Sequence, residues 1–381
     1  MWIPAACNVA FVYVEFALAP LIRTVLRGGD DVLLVSSMLY VMSIVGYLSM
    51  AWFSKMYGLR WSLVVVMIMN GLACVLAIVA DGHAAVIVTG RAISGFAVTS
   101  LLTQTWMNFA GGDAHAVVTQ ALYNNSFYVG AISGVLAAGL ASEYISKSYA
   151  WTFVNEIALA MFFFAVCACF FLAEDPAPEH ASRLSVKKNV VSQKNVRALS
   201  TRELGFRGGV ERFDWQALVP YIYGEFVTGI SEGFFYAGFS VQLGEQYGLS
   251  DVEISVVYVG ILFMSMMTNL FVVPRVSMRL VFVPILAILW SIAAVNNLVV
   301  VVIAMAVLKS AEQILFCAIR AREYQEIPES KRFTMMVLPM SVFQVGCVVG
   351  VLGGLAAKNM WYWVVAVLYV TLWVALRNVF F

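Results

Sequence analysis

The sequence predicts an all-α integral membrane protein, with twelve transmembrane helices in two pseudo-symmetric six-helix bundles. Three observations carry that expectation. The 381 residues are 62% hydrophobic and only 12% charged, so a water-soluble fold would expose apolar surface almost everywhere. Polar breaks divide the chain into twelve apolar segments, each near the roughly 20 residues a helix needs to cross a hydrocarbon core. A pattern of acidic, aromatic and basic residues in the first half then recurs in the second.

The spans fall roughly at 2–22, 32–53, 61–80, 84–107, 117–141, 151–173, 216–243, 251–273, 279–297, 298–319, 333–357 and 360–381. The first opens Met1-Trp2-Ile3-Pro4 with no basic leader and is expected to be retained. An even number of spans puts both termini on one side, and basic residues decide which side because short cytoplasmic loops retain them. Of the 23 Lys and Arg, Arg91 and Lys309 lie in spans and only Arg23, Arg27, Lys147 and Lys358 fall on the opposite face. The remainder crowd into breaks 2–3, 6–7, 8–9 and 10–11 and the C-terminus, so both ends are expected in the cytoplasm. Residues 174–215, with Asp175-Pro176-Ala177-Pro178, read as a cytoplasmic linker between an N-terminal half (1–173) and a C-terminal half (216–381). Its basic run is a topology signal that also suits anionic lipid, and a regulatory partner site is the alternative. Tryptophans at Trp52, Trp61, Trp151, Trp215 and Trp361 lie near span ends, where an interfacial belt belongs.

A net charge of +1 gives no concentrated basic surface for nucleic acid. The six cysteines lie in apolar stretches as packing residues, and His83, His115 and His180 lie in polar breaks, so no metal site or cofactor is expected. An intramembrane enzyme needs a nucleophile and base within reach of each other, and no spanning His, Ser-Lys or paired-Asp arrangement supplies them.

The recurring pattern begins at Tyr13-Val14-Glu15-Phe16 and Tyr223-Gly224-Glu225-Phe226. Each is followed by a span-opening tyrosine (Tyr40, Tyr258) and a lone intramembrane base (Arg91, Lys309). The tyrosine-to-base interval is 51 residues in both copies, 40 to 91 and 258 to 309. The glutamate-to-tyrosine interval differs, 25 against 33, which places extra residues in one hairpin loop. Aligning the copies sets Glu15 on Glu225 and pairs Glu15 with Arg91 and Glu225 with Lys309.

Ionised groups in hydrocarbon cost a few kcal/mol or more, so they face partners or a cavity. Glu15, Arg91, Glu156, Glu225, Glu232, Lys309 and Glu312 are the intramembrane charges. Their pairs either take part in transport or simply staple helices, and Lys309 and Glu312 also suit an i, i+3 pair. Glu156 reads as solvated. Glu232 has no evident base and reads as a proton carrier or as the lining of an aqueous mouth. Tyr13, Gln104, Asn108, Tyr128, Tyr223, Tyr236 and Gln344 are expected as polar groups of a central cavity. Gly130, Gly134 and Gly139 in span 5 and Gly346, Gly350, Gly353 and Gly354 in span 11 recur at small-xxx-small spacing, suited to tight packing or to a sliding surface.

Six plus six spans around a basic linker resemble the major facilitator superfamily of transporters. The loop after span 2, Ala51 to Arg60, carries Gly58 and Arg60 at that family's glycine and basic places, but Lys55 replaces its acidic residue, so the gating role of that carboxylate does not transfer. Gly90-Arg91-Ala92-Ile93-Ser94-Gly95 is similar to the family's span-4 pattern, whose arginine is tied to proton coupling. Residues 130–139 resemble the span-5 antiporter motif with Val135 in place of its proline. Val35 to Tyr40 and Tyr128-Val129-Gly130 are similar to YcaD-like bacterial inner-membrane members. The resemblance implies cavity-lining spans 1, 4, 7 and 10, a bacterial inner-membrane location and a monomeric secondary transporter moving a small solute, with protons as a partner. A receptor, scaffold or lipid-handling protein of the same fold is the alternative. Five glutamates against two bases in the spans favour a cation or proton, and a carboxylate-bearing solute held by Arg91 and Lys309 is the second reading.

Overall fold

The computed structural model describes residues 2–25, 29–80, 83–111, 116–172, 215–273, 283–327, 335–357 and 359–380. The linker lies outside these, apart from Trp215. Among the described residues the regular structure is helical. Helix α1 is Trp2–Val25, α2 is Gly29–Val79, α3 is Ala84–Phe96, α4 is Thr99–Gly111, α5 is Ala116–Tyr144 and α6 is Lys147–Cys169. Trp215–Gly233 (α7) continues through a π-helical turn, Phe234–Phe239, into Ser240–Gln246 (α8). Then come α9 (Asp251–Phe271), α10 (Val283–Ala293), α11 (Leu298–Glu326), α12 (Val337–Ala357) and α13 (Asn359–Phe380). Nine of the described helices are long and apolar enough to cross a membrane. The twelve spans map onto this because α2 holds spans 2 and 3, span 7 is divided by the π turn, and span 9 is described only over α10.

Span 2 meets span 3 at Gly58, whose φ of 83° and ψ of 163° are open to glycine and strained for a side chain. Arg60 follows, its Nη2 donating to the Phe170 carbonyl at 2.7 Å, so this motif fastens span 3 to the end of span 6. Span 4 is broken at Ala97 and Val98, which frees the Ala97 carbonyl in an apolar interior. Asn70 of span 3 repairs the break: its buried amide donates to Ala97 at 3.2 Å, to Val66 at 2.8 Å and to Thr99 Oγ1 at 3.2 Å. In span 7 the π turn frees the Phe235 carbonyl, and the Tyr258 hydroxyl donates to it. Trp52 and Trp61 are exposed as an interfacial belt requires, whereas Trp151 is buried in the first-half core.

Gly130 and Gly134, and Gly346 and Gly350, pack helix backbones within each half, whereas Gly139 meets Ser255 of span 8 and Gly353 the Trp361 ring. A Cβ on Gly130 or Gly134 would strike the carbonyls of Val9 and Tyr13, and one on Gly346 or Gly350 those of Phe226 and Ile230. Span 5 therefore lies on span 1 as span 11 lies on span 7. These matching contacts set a register: Val9 corresponds to Phe226 and Tyr13 to Ile230, which brings Glu15 onto Glu232 and Asn8 onto Glu225. The alignment of Glu15 with Glu225 is thus off by two helical turns. In the corrected register the glutamate-to-tyrosine intervals are 25 and 26 residues (15 to 40, 232 to 258), and no loop insertion is needed.

Spans 2 and 11 and spans 5 and 8 pack across the two halves. Replacing Gly134 by Ala forces span 1 off span 5, an overpacking that costs about 1–3 kcal/mol. Thermal unfolding in detergent should fall by several degrees for Gly134→Ala. It should stay unchanged for Gly260→Ala, where a Cβ meets nothing within 4 Å.

Candidate functional site: a charged cavity between the two halves

A cavity of about 130 Å³ lies between the first-half and second-half helices. Span 1 contributes Asn8, Phe11, Val12 and Glu15, spaced i, i+3, i+4, i+7 and hence one helical face. Span 10 contributes Lys309, Glu312, Gln313, Phe316 and Arg320 at the same kind of spacing, and Glu232 faces them from span 7. The wall uses the opening part of span 1 and the closing part of span 10, so the cavity sits toward the end of the bundle where the chain starts.

The far end of span 1 is sealed. Arg91 Nη2 donates to the Tyr236 hydroxyl at 2.5 Å, Tyr236 donates to the Glu15 carbonyl at 2.7 Å, and Ser240 Oγ donates to the Ala19 carbonyl at 2.5 Å. The π turn presents Tyr236 to this contact, and its ring lies edge-on to Phe16 and Tyr40.

Lys309 is saturated. Its ammonium reaches Glu232 at 2.8 Å, Glu312 at 2.8 Å and Ser231 Oγ at 3.3 Å, using all three protons. Glu312 is further held by Ser231 at 2.6 Å, Tyr369 at 2.6 Å and Trp290 Nε1 at 3.3 Å. Glu232 has Lys309 as its hydrogen-bond donor, and its side chain is 20% exposed against 4% for Glu312.

Glu225 pairs with Arg320, not with Lys309: Arg320 Nη2 donates at 2.7 Å and Nε lies against the other oxygen. Seven residues separate Glu225 from Glu232, which puts Glu225 about two turns away along span 7 and out of reach of Lys309. The pair is completely buried, with Glu323 beside it, also buried, its two carboxylate oxygens unbonded among the described residues. The Arg320 guanidinium also lies over the Phe316 and Phe343 rings, 5.0 and 6.0 Å from their centroids. Arg320 had read as a cytoplasmic loop base because the apolar run ends at residue 319. The helix continues to Glu326, and the spacing from Lys309 through Glu312, Gln313 and Phe316 to Arg320 is the signal that marks it as part of the same face.

Glu15 and Arg91 make no direct ion pair among the described residues. Glu15 lies in the wall together with Tyr40 and Glu232, while Arg91 is committed to Tyr236. Of the polar candidates, Gln104 and Gln344 line the cavity. Gln104 donates to Gln120 at 2.8 Å, and Gln344 donates to Tyr47 at 3.2 Å. Tyr13, Tyr128 and Tyr223 are not in that wall. Tyr13 is two residues from Glu15 and so on the other side of span 1, Tyr128 is buried beside Phe127, and Tyr223 bonds Thr371 of span 12 at 2.7 Å. Asn108 belongs to α4, its side chain outside the described set. Asn124, whose Asn124-Asn125-Ser126 run resembles a glycosylation sequon, lines the cavity instead, bonding Cys317 at 3.1 Å and Gln313 at 3.4 Å. Glu156 is exposed and accepts from Tyr149 at 2.9 Å. Among the described residues no cluster of His, Cys, Asp or Glu is suited to a metal ion.

The sequence profile described as Major Facilitator Superfamily matches residues 3–351. The chain belongs to that superfamily. It is therefore a multi-pass membrane protein of a transporter family, not an enzyme. No curated protein sequence matches it significantly. Solved structures share its fold at low identity. The proton:xylose symporter XylE bound to 6-bromo-6-deoxy-D-glucose is 12% identical over 99% of this chain and 94% of that one, with a TM-score of 0.76. An inward open conformation of XylE from E. coli is 13% identical over 99% and 94%, at 0.69. The human organic anion transporter MFSD10 is 14% identical over 98% of both chains, at 0.71.

Removing one partner of a buried pair leaves an uncompensated charge, at a cost of about 3–5 kcal/mol. Glu225→Gln should therefore lower the unfolding midpoint of the detergent-purified protein sharply. Adding Arg320→Met should recover much of the loss. Equal stability of Glu225→Gln and the unaltered protein would contradict the pairing.

Proposed function

We propose that the chain is a proton-coupled secondary transporter that moves a small solute across the cell membrane by alternating access of the central cavity. Two six-helix halves, 1–173 and 216–381, rock about that cavity, and residues 174–215 tether them on the cytoplasmic side. The protein works as a monomer in a bacterial inner membrane with both termini in the cytoplasm, so the cavity end of the bundle faces the cytoplasm and the Arg91–Tyr236 contact closes the outer side.

The observation that carries the proton role is one ammonium shared by two carboxylates. A single carboxylate neutralises Lys309, so the second can take up a proton and leave no buried charge unmatched. Glu312, fixed by Ser231, Tyr369 and Trp290, stays as the permanent counter-ion. Glu232 has fewer donors and more exposure, and it exchanges the proton with the cavity. Glu225, committed to Arg320, acts as a staple. Glu15 is the remaining acidic group of the wall, and Arg91 holds the outer closure.

A metabolite that differs between cells with and without the protein should move into proteoliposomes under an imposed pH gradient. Glu232→Gln should cut that driven flux at least tenfold while exchange at equal pH persists. Undiminished pH-driven flux in Glu232→Gln would remove the proton role. The orientation is checked separately: His83→Cys, with Cys167→Ser as background, should react with a membrane-impermeant maleimide on intact cells. Reaction only after permeabilisation would invert the topology.

A further inference from the structure

Both bases in the cavity wall are spoken for. Lys309 has its three protons on Glu232, Glu312 and Ser231, and Arg320 is matched by Glu225 and covered by two phenyl rings. Arg91, the remaining intramembrane base, is outside the wall and bound to Tyr236. An anionic solute entering the cavity finds no uncommitted cation, which argues against the carboxylate-bearing solute considered from sequence. Charge is left over on the other side. Glu15 lines the cavity with no base within ion-pair distance among the described residues, and Glu232 and Glu312 share one ammonium.

The surroundings of Glu15 are aromatic. Phe11 is one turn away on the same face of span 1, Tyr40 comes from span 2, and Phe127 and Tyr123 come from span 5, all lining the same cavity. The negative faces of such rings attract a cation, and the attraction grows where water is excluded. A carboxylate among rings, with no inorganic-ion cage of oxygens around it, suits an organic ammonium whose charge meets Glu15 and whose apolar body lies on the rings. Among the described residues no cluster of His, Cys, Asp or Glu suits a metal ion, and the amide and hydroxyl groups that share the wall with Glu15 are neutral.

We infer that the cavity is a binding site for monovalent organic cations carrying an apolar or aromatic group, with Glu15 as the counter-charge and Phe11, Tyr40 and Phe127 as the surrounding rings. This rests on the reading of the cavity as the solute site, but it needs neither a proton gradient nor transport to be tested.

The test is equilibrium dialysis of the full-length protein in detergent against benzyltrimethylammonium, which cannot lose a proton, and against benzenesulfonate, an anion carrying a similar ring. Saturable binding of the cation at one site per chain is expected, with the anion at least tenfold weaker. Glu15→Gln should weaken cation binding at least tenfold, Glu15→Asp should retain part of it, and Glu156→Gln, on the exposed face of span 6, should leave it unchanged. Phe127→Leu should weaken it several-fold, which keeps a readout should Glu15→Gln fail to fold. Benzenesulfonate binding as tightly as the cation, no saturable cation binding, or full affinity in a folded Glu15→Gln protein would each overturn the inference. Loss of pH-driven flux with cation binding intact bears on the transport reading alone, and loss of cation binding with flux intact on this one alone.

Discussion

Charge inside hydrocarbon must be matched within a few ångströms, and the interior of this protein is arranged around that requirement. Arg320 satisfies it with Glu225, with the buried Glu323 beside that pair, while Lys309 satisfies it with two carboxylates. Arg91 meets it differently, through the oxygen of Tyr236 and that ring's face at 5.8 Å. The three solutions have different consequences. The first joins spans 7 and 10 by a buried pair, the second places two carboxylates on one ammonium, and the third joins the two halves of the chain at one end.

Breaks in the helices serve the same arrangement. Span 4 pauses at Ala97 and span 7 widens into a π turn at Phe234–Phe239, and in each a side chain from a neighbouring span takes up a freed carbonyl. Thr99 Oγ1 adds a second, local donor to the Ala97 carbonyl at 3.3 Å, and a buried carbonyl left with no donor costs roughly 1–3 kcal/mol. The π turn places Tyr236 where it can accept from Arg91 and donate to span 1, so an irregularity in the backbone positions a contact between the two halves.

Much of the fold was legible in the sequence because hydrocarbon thickness dictates span length and because apolar runs report spans directly. The breaks within spans 4 and 7 were not: no proline marks them, and the glycines and small polar residues around them (Ser94-Gly95, Thr99-Ser100, Gly233, Gly238) are equally common where spans run unbroken. In the site, the acidic and basic residues of spans 1, 4, 7 and 10 were identifiable one by one, but their partners were not. The repeated pattern pairs Glu225 with Lys309, whereas helix face and register give Glu232 and Glu312 to Lys309 and leave Glu225 to Arg320. Arg320 was missed because hydropathy ends the span at residue 319, although the spacing of polar groups along that helix continues past it. Tyr13 and Tyr223 were assigned to the cavity on residue type and depth, and the direction in which each leaves its helix decides otherwise.

The contacts within each half and those between halves differ in kind. Spans 1 and 5, and spans 7 and 11, meet through glycines, backbone on backbone, with no side chain between them. Across the halves the contacts include Gln344 to Tyr47, Asn269 to the Ala121 carbonyl and to Asn125, and Asn124 to Gln313. Each of those polar groups can exchange its protein partner for a solvent molecule at little enthalpic loss. The glycine contacts have no such substitute, because parting them opens an unfilled gap between two apolar surfaces. The seam between the halves thus joins an apolar cluster, in which Phe16 and Tyr40 meet Phe235 and Tyr236, with polar bridges that water can replace, whereas the glycine seams offer water nothing to bond.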